Sequence, residues 1–439
     1  MSKQQSANSN QQPQPAKPFA DSRLLIAPLR IGIDATPATR AVKTGTERYA
    51  EALILEFARM KLPHQFILYS RYAPTGELAH LPKNFTWKVM PFPFLWSQVR
   101  LAIEFLLHPN AVDVMFFPAH VMPLIHPKRS VITLHDIGFE HFPELYGQTP
   151  IGPNLPLLRQ LLSLVIRIVT LGRYGNSELD YHRWATRFAL NHATAVITVS
   201  EATKKDIIEH FHPVAPISPI YHGINLSKQQ AASSKQRKTI QQLQPYILFI
   251  GRLEAKKNVV TLIQAFGQLV AERSIESSPS LSKRGQGRFG DLNLVLIGRP
   301  SHGYADIADA IQALPADIQS RVHELGYVED VQTWLTHAKL FAFPSAFEGF
   351  GLPPLEAMAV GIPVVAANGT SLPEIVGDAG LLVPTFDVTA WEKALERGLT
   401  DAKLRQSLIA NGHARVKTFT WRKSATETLA VITNAAGIR

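Results

Sequence analysis

Two glutamates flank a glycine-rich loop in the second half of the chain. The segment Phe343–Gly361 reads FPSAFEGFGLPPLEAMAVG, and seven residues separate Glu348 from Glu356. Glycine lets a backbone approach a ligand closely, and a carboxylate accepts hydrogen bonds from donor groups of a ligand. The spacing therefore indicates a site for a polar ligand. A solvated loop acid and a glutamate that complements a helix dipole would show the same two residues.

Two cations follow a predicted strand at the start of the second half. Tyr246–Ile250 is an apolar run that ends at a glycine, and Arg252 and Lys257 come between it and a predicted helix at Val259–Val270. Both side chain types form charge-assisted hydrogen bonds with phosphate oxygens, so the pair suits a pyrophosphate. The alternative is two solvated loop cations, the commoner fate of such residues.

A His–Asp pair and an early glycine complete the candidate residues. His135 and Asp136 follow the predicted strand Val131–Leu134, and ligands bind at the carboxyl ends of strands in open α/β sheets. His135 could equally be a core histidine bonded to a backbone carbonyl. Gly45 opens the predicted helix Thr44–Arg59 and suits a backbone-to-phosphate approach, although a tight turn also favours glycine.

Short strands that alternate with helices position these residues. The predicted strands are Arg30–Asp34, Phe66–Tyr69, Phe85–Met90, Val112–Phe117, Val131–Leu134, Ala195–Val199, Tyr246–Ile250, Leu292–Ile297, Glu324–Val328, Leu340–Phe343 and Ile362–Ala366. The predicted helices include Trp96–Leu107, Leu155–Leu171, Trp391–Val416 and Trp421–Asn434, and one that begins near Pro353–Pro354 with Glu356 in its first turn. The alternation predicts parallel, doubly wound α/β sheets.

Composition narrows the class of protein. A length of 439 residues fits two α/β domains, and 46% hydrophobic with 18% charged residues describes a globular chain. The net charge of +10 is spread along the chain, so no nucleic-acid-binding arm is expected. There is no cysteine, which excludes disulfides and thiolate metal sites and fits a cytosolic protein. The histidines show no metal-ligand spacing, and no apolar run is long enough to span a membrane.

Changes in composition divide the chain into parts. We expect a disordered tail at 1–23, where Met1–Lys17 is rich in Gln, Ser, Asn and Pro, a first domain at 24–226, a linker at 227–243, a second domain at 244–420 and a helical segment at 421–439. Leu171–Asp180 and Ser277–Gly290 are predicted to be an insertion and a flexible loop. The helix Leu155–Leu171 is amphipathic and could pack on the sheet or, with Arg173, Arg183 and Arg187 nearby, face a membrane.

Several of these segments together resemble one enzyme family. The string from Glu348 to Glu356 and the EAMAVGIPVVAAN that overlaps its end are similar to the signature of the retaining, group 1 (family 4) glycosyltransferases with the GT-B fold. FIGRLEAKKN resembles the phosphate-binding turn of that family, and VITLHD and TVSE are similar to its mannosyltransferase-like branch. The resemblance runs from about Arg30 to about Trp421 and is strongest over Tyr246–Val383.

The resemblance implies two Rossmann-like domains facing across a cleft, with the last helix crossing back to the first domain. It implies a retaining hexosyltransferase whose donor is a nucleotide-diphosphate sugar, GDP-mannose first and UDP-glucose or a deoxysugar next. The acceptor would be a glycan or a lipid-linked glycan in cell-surface polysaccharide synthesis. A GT-B sugar-nucleotide epimerase and a non-catalytic sugar-binding relative are the alternatives.

The resemblance also implies a role for each candidate residue. Glu356 would hold the ribose hydroxyls, Glu348 would bind the transferred sugar, and His135 would lie beside that sugar. Arg252 and Lys257 would neutralise the leaving pyrophosphate, so that neither a metal nor a cofactor is required. The other donor-binding candidates are Gly349, Phe350, Gly351, Leu352, Gly45 and Val328. A peripheral contact with the inner face of a membrane stays open, and nucleic acid is not expected as a partner.

Overall fold

The computed structural model describes residues 27–93, 95–146, 156–169, 172, 174–175, 177–224, 233–275, 289 and 291–437. The predicted tail at 1–23, the start of the predicted linker at 227–232 and nearly all of the predicted loop Ser277–Gly290 lie outside the described residues. Part of the predicted insertion Leu171–Asp180 lies outside them as well.

The first half forms a seven-stranded parallel sheet. Its strands are β1 (Arg30–Asp34), β2 (Gln65–Ser70), β3 (Phe85–Val89), β4 (Val114–Phe117), β5 (Ser130–Leu134), β6 (Ala195–Thr198) and β7 (Ile217–Pro219), in the order β3-β2-β1-β4-β5-β6-β7. All six predicted strands are confirmed to within two residues at each end. The edge strand β7 was not predicted because its three residues, ISP, are too short and too proline-rich for a strand pattern.

The second half forms a six-stranded parallel sheet. Its strands are β8 (Tyr246–Ile250), β9 (Asn293–Ile297), β10 (Val322–Gly326), β11 (Leu340–Phe343), β12 (Val364–Ala367) and β13 (Gly380–Val383), in the order β10-β9-β8-β11-β12-β13. The prediction of parallel, doubly wound sheets is therefore confirmed for both halves. Because β8 and β11 pair directly, their carboxyl ends lie side by side, and these are the ends that carry Arg252 and Glu348.

Helices cover both sheets. They are α1 (Gly45–Arg59), α2 (Ala102–Leu107), α3 (Gly138–His141), α4 (Pro156–Val169), α5 (Glu178–His192), α6 (Glu201–Phe211), α7 (Ser234–Leu243), α8 (Val259–Ile275), α9 (Tyr304–Gln312), α10 (Ala316–Gln319), α11 (Val331–His337), α12 (Leu352–Ala359), α13 (Leu372–Val376), α14 (Val388–Thr400), α15 (Ala402–Val416) and α16 (Trp421–Ala435). Within the described part of the chain, none of them has the length and apolarity needed to cross a membrane.

Two helical predictions and the linker prediction differ in detail from the structure. Within the predicted helix Trp96–Leu107, the residues Ser97–Leu101 form a π-helical turn before α2 begins. The predicted helix Trp391–Val416 is two helices, because Asp401 ends α14 and its side chain accepts a hydrogen bond from an amide in the first turn of α15. The described part of the expected linker is the helix α7, which buries Ile240 in the second core.

The last helix belongs to the first domain. Trp421, Ala425 and Ile432 of α16 are buried in the same apolar cluster as Tyr49 of α1 and the strands β1 and β4. The crossing-back that the family resemblance implied is therefore confirmed. The second domain has its own apolar core around β8, β9, β11 and β12.

The start of α6 joins the two domains. The side chain of Glu374, on α13 of the second domain, accepts hydrogen bonds from the backbone amides of Glu201 (2.8 Å) and Ala202 (2.9 Å). Ser200 caps α6, since its side chain accepts a hydrogen bond from the amide of Thr203, and its hydroxyl also donates to the carbonyl of Gly349 at 2.6 Å. A helix start offers free amides and a positive dipole end, which explains why a carboxylate docks there.

Candidate active site

Backbone and amide hydrogen bonds tie the loop after β8 to the loop after β11. The amide of Ala346 donates to the carbonyl of Lys256 at 2.8 Å, and the side chain of Asn258 donates to the carbonyl of Pro344 at 3.3 Å. Asn258 itself has φ +51° and ends a short turn at Ala255–Lys257. Asparagine tolerates this left-handed conformation better than most residues, so the turn directs Lys257 towards the neighbouring loop.

Lys257 and Glu348 form an ion pair at the centre of the candidate site. Lys257 Nζ donates to Glu348 Oε1 at 2.5 Å, and each side chain is 14% exposed. The hydroxyl of Thr370 accepts from the amide of Glu348, and Ser371 Oγ donates to the carbonyl of Glu348. One bond therefore holds the carboxylate of Glu348, and two more hold its backbone. An ammonium group has three donors, so Lys257 can keep this bond and still meet a phosphate oxygen.

Arg252 lies apart from this pair. Its side chain is 66% exposed, and its guanidinium is 3.9 Å from a carboxylate oxygen of Glu254. The structure therefore brings Lys257 and Glu348 together and leaves Arg252 at the surface of the same loop. The pyrophosphate clamp stays a prediction.

Gly349 carries the loop of Glu348 against the first domain. A Cβ at this position would lie 2.0 Å from the carbonyl oxygen of His135, so only glycine fits. The hydroxyls of Ser200 and Thr203 both donate to the carbonyl of Gly349, at 2.6 and 3.1 Å. The predicted site residues Glu348 and His135, which come from different domains, are therefore adjacent in the fold.

His135 fits both interpretations that the sequence allowed. Its Nε2 donates a hydrogen bond of 2.9 Å to the carbonyl oxygen of Pro118, and its ring packs edge-on against Tyr49 at 4.9 Å. Burial lowers the pKa of His135, so the imidazole is neutral. With the proton on Nε2, Nδ1 is an acceptor that could take a hydrogen bond from a hydroxyl.

Asp136 is a residue whose importance the sequence analysis understated. Burial raises the pKa of Asp136, but the charge of Lys256 and the amide of Gly138, which donates at 2.9 Å, hold it below its usual range overall. A second ionised carboxylate therefore lies beside Gly349. The His–Asp pair at the end of β5 was the available signal, but only His135 was selected from it. Lys256, next to Lys257, was passed over in the same way.

Glu356 and Gly45 mark another part of the cleft. Glu356 is the fifth residue of α12, so it lies in the second turn and the prediction of the first turn was wrong. Burial raises the pKa of Glu356, and the nearby charge of Arg48, in the first turn of α1, lowers it in part. Gly45 begins α1, is exposed, and has open space where a Cβ would be. The start of α1 is therefore open to a ligand near Glu356.

The remaining donor-binding candidates have structural roles in the fold. Phe350 is 5% exposed, and its ring stacks on His222 at 4.7 Å. Gly351 has φ +103° and caps α12, where Leu352 is the first residue and packs on the second core. Val328 follows β10, two strands away from β8, so the structure does not bring it to the Lys257–Glu348 pair.

One group of possible metal ligands does not show in the spacing of the histidines along the chain. His141, Asp206 and His210 place one ligand atom each within 4.8 Å of one another. Asp206 and His210 are one helical turn apart on α6, and His141 comes from α3, 65 residues earlier than Asp206. Histidine spacing along the chain does not reveal this set, because one ligand is an aspartate and the three come from two helices.

Taken together, the site suits a sugar diphosphate. Lys256 and Lys257 supply positive charge, and Glu348 and Asp136 supply acceptors for hydroxyls. Both sets lie where the carboxyl ends of β8 and β11 face the end of β5 across the domain boundary. This is the position at which open α/β sheets bind ligands.

Comparison with known proteins agrees with this geometry. Residues 231–415 match the family model for glycosyl transferases group 1, and residues 43–228 match the model for glycosyltransferase family 4. The two matches cover the second and the first domain.

Individual relatives point the same way. The chain is 31% identical over 304 residues to the O-antigen chain mannosyltransferase B of Escherichia coli, which is 69% of each protein. Among solved structures, it is similar to a sucrose-phosphate synthase from Thermosynechococcus elongatus, with TM-score 0.64 and 18% identity over 92% of this chain and 98% of that one. It is also similar to Anabaena Alr3699/HepE in complex with UDP-glucose, with TM-score 0.61 and 19% identity over 92% and 100%. The chain belongs to the group 1 (family 4) glycosyltransferases, which have the GT-B fold.

Proposed function

We propose that this glycosyltransferase moves a hexose, with retention of anomeric configuration, from a nucleotide-diphosphate sugar to a glycan or lipid-linked acceptor in cell-surface polysaccharide synthesis. One observation carries the proposal: the Lys257–Glu348 pair, which links a phosphate-binding group to a sugar-binding group at 2.5 Å. A donor substrate carries its sugar and its diphosphate on adjacent atoms, so the two protein groups that bind them must also be adjacent.

Donor binding would use α12 and the loop that precedes it. Glu356 accepts hydrogen bonds from the ribose hydroxyls, and Glu348 accepts them from the transferred sugar. The amides of Phe350 and Gly351, at the start of the helix, are directed to the sugar and the phosphates. His135 offers Nδ1 to a sugar hydroxyl from the opposite domain.

Catalysis would act mainly on the leaving group. The bond between the anomeric carbon and the diphosphate oxygen breaks with its electron pair moving to that oxygen, and Lys257 and Arg252 stabilise the negative charge that develops. The acceptor hydroxyl bonds to the same face of the anomeric carbon, and its proton passes to the leaving diphosphate. Because Glu348 is engaged by Lys257, it is poorly placed as the free nucleophile that a double displacement needs. These cations replace a divalent metal, so transfer should continue in the presence of a chelator.

GDP-mannose is the first donor to test. The relative with 31% identity is named as an O-antigen chain mannosyltransferase, and the VITLHD and TVSE segments point to the same branch. UDP-glucose is the second, because a structurally similar protein was solved with it. The O-antigen relative also supports a surface polysaccharide as the acceptor.

The experiment incubates the protein with GDP-mannose, UDP-glucose and a deoxysugar nucleotide, each with and without a mannose-terminated oligosaccharide. A glycosylated acceptor supports the proposal, and the anomeric proton signal of the product reports retention or inversion. An isomerised donor without transfer would instead identify an epimerase. Donor binding without turnover, whatever the acceptor, would leave a non-catalytic sugar-binding protein.

We also propose that α4 contacts an anionic membrane surface. Leu157, Leu164 and Ile168 lie at helical spacing and are 81%, 55% and 66% exposed, and Arg167 beside them is exposed as well. Apolar side chains flanked by cations favour the interface of anionic lipids. Arg183, one of the cations cited from the sequence, is instead bonded to Glu140 and does not contribute.

Vesicle co-sedimentation tests this contact. We expect binding to vesicles that contain phosphatidylglycerol and little binding to pure phosphatidylcholine. Replacing Leu157, Leu164 and Ile168 by serine should abolish it. Serine at Val214, which is 85% exposed outside α4, is the control and should change nothing. Equal binding by both variants would remove α4 from the proposal.

A further inference from the structure

We propose that His141, Asp206 and His210 form a binding site for one divalent transition-metal ion of the zinc type. His141 lies on α3, and Asp206 and His210 lie one turn apart on α6. Two imidazoles and a carboxylate are ligands that zinc, copper and nickel all accept. The site is separate from the sugar-nucleotide chemistry described above and does not depend on it.

The distances between the ligand atoms match a coordination shell. His141 Nε2 is 2.9 Å from Asp206 Oδ1, and His210 Nδ1 is 3.2 Å from the same oxygen. Ligand bonds of about 2.0–2.1 Å in tetrahedral geometry place neighbouring ligand atoms about 3.3 Å apart. A small outward movement of the three side chains would therefore admit an ion.

Exposure of the three side chains suits an ion that arrives from solution. His141, Asp206 and His210 are 33%, 19% and 38% exposed, so the remaining coordination positions are open to water. His210 Nδ1 also lies 2.9 Å from the carbonyl oxygen of Asp206. Binding a metal through Nδ1 moves the proton to Nε2 and gives up that hydrogen bond, which is a modest cost.

The site would fasten together parts of the chain that border the candidate active site. The helix α3 follows His135 and Asp136 directly, and α6 carries the interdomain contacts at Ser200 and Glu201. The ring of His141 also packs at 4.7 Å against Phe347, the residue before Glu348. A bound ion would hold α3 against α6 and thereby stabilise the wall of the cleft.

Isothermal titration of the untagged, metal-free full-length protein with zinc chloride tests the site. We expect about one high-affinity zinc ion per chain. His141→Gln and His210→Gln should each weaken this binding at least about 10-fold, because loss of even an outer-shell partner typically costs about 10- to 100-fold in affinity. Zinc should also raise the melting temperature of the wild-type protein and not that of the two variants.

His192→Gln is the matched control. His192 is also exposed on a helix, and its Nδ1 is 2.8 Å from the carbonyl oxygen of Phe188, four residues earlier, just as in His210. Melting curves in a chelator show that each variant is folded. Wild-type protein that binds no zinc stoichiometrically would overturn the proposal, since the trio would then be only a hydrogen-bonded surface cluster. So would a His192→Gln variant that loses as much affinity as His210→Gln.

Discussion

Replacing Lys257 by methionine should reduce both stability and turnover, whereas the same replacement at Arg252 should reduce turnover alone. The contrast follows from burial: Lys257 and its partner Glu348 are each 14% exposed and 2.5 Å apart, whereas Arg252 is 66% exposed with its nearest carboxylate at 3.9 Å. Breaking a buried pair by removing one partner costs about 3–5 kcal/mol, and exposed pairs contribute about 0–1 kcal/mol.

The partial exposure of the pair sets the expected magnitude. We expect Lys257→Met to lower the free energy of unfolding by about 2–3 kcal/mol and Arg252→Met by less than about 0.5 kcal/mol. For a domain of about 200 residues, this corresponds to a fall in melting temperature of roughly 5–10 °C against less than about 2 °C. Calorimetry resolves such a difference even when the two domains melt separately.

A double variant isolates the interaction itself. Lys257→Met leaves the carboxylate of Glu348 without its cation, so adding Glu348→Gln should restore part of the lost stability. Turnover should not recover, because a group that stabilises the leaving diphosphate is typically worth about 100- to 1000-fold in rate. Donor transfer is measured with the substrates proposed above, at saturating donor.

Three results would refute this reasoning. Equal falls in melting temperature for Lys257→Met and Arg252→Met would show that the ion pair does not stabilise the protein in solution. Strictly additive losses in the double variant would show the same. Unchanged turnover in both single variants would show that neither Lys257 nor Arg252 stabilises the leaving diphosphate.

Three further predictions concern binding, pH and packing. Glu356→Gln should weaken GDP binding about 10- to 100-fold in calorimetric titration, because a hydrogen bond to a charged group is lost. It should not lower the melting temperature, because burial already disfavours the ionised form of Glu356 in the folded protein. His222→Phe should make the protein less sensitive to acid. Burial lowers the pKa of His222 well below its usual value, so below pH ~6.5 the unfolded chain binds more protons than the folded protein. The wild type therefore loses stability as the pH falls, by about 2 kcal/mol at pH ~5 from this group. Melting curves from pH 7 to 5 check it, and parallel curves for both proteins would contradict it. Trp421→Ala should lower the free energy of unfolding of the first domain by about 3–5 kcal/mol, because removing an indole that is only 8% exposed leaves a cavity. An effect below about 1 kcal/mol would show that α16 does not pack against the first domain.

Most of the strands could be predicted because they are continuous apolar runs between polar or proline-containing segments. Leu340–Phe343, for example, is buried at every position, as a strand covered on both faces must be. Edge strands carry a weaker pattern, and β13, with the sequence GLLV and mostly half-buried residues, was not predicted. The helix α7 was also missed, because its sequence is polar and, among its described side chains, only Ile240 is fully buried.

The sequence predicted the individual loops of the candidate site but not the contacts between them. The sequence identified the loops of Arg252, Lys257 and Glu348, since each follows a strand and carries residues with evident chemistry. It did not indicate that Lys257 bonds to Glu348 while Arg252 remains exposed, because that depends on the left-handed turn at Asn258 and the hydrogen bonds between the loops. The trio around Asp206 depends in the same way on contacts between distant helices.

The return of α16 to the first domain has a consequence for protein synthesis. The residues that complete the first core, among them Trp421, Ala425 and Ile432, are translated after the whole second domain. Until then the surface of α1 and the sheet that α16 covers stay open to solvent, although domains generally fold in order from the N-terminus. The N-terminal domain thus leaves the ribosome first but is completed last. Part of its apolar surface stays exposed while the second domain, roughly half of the chain, is translated.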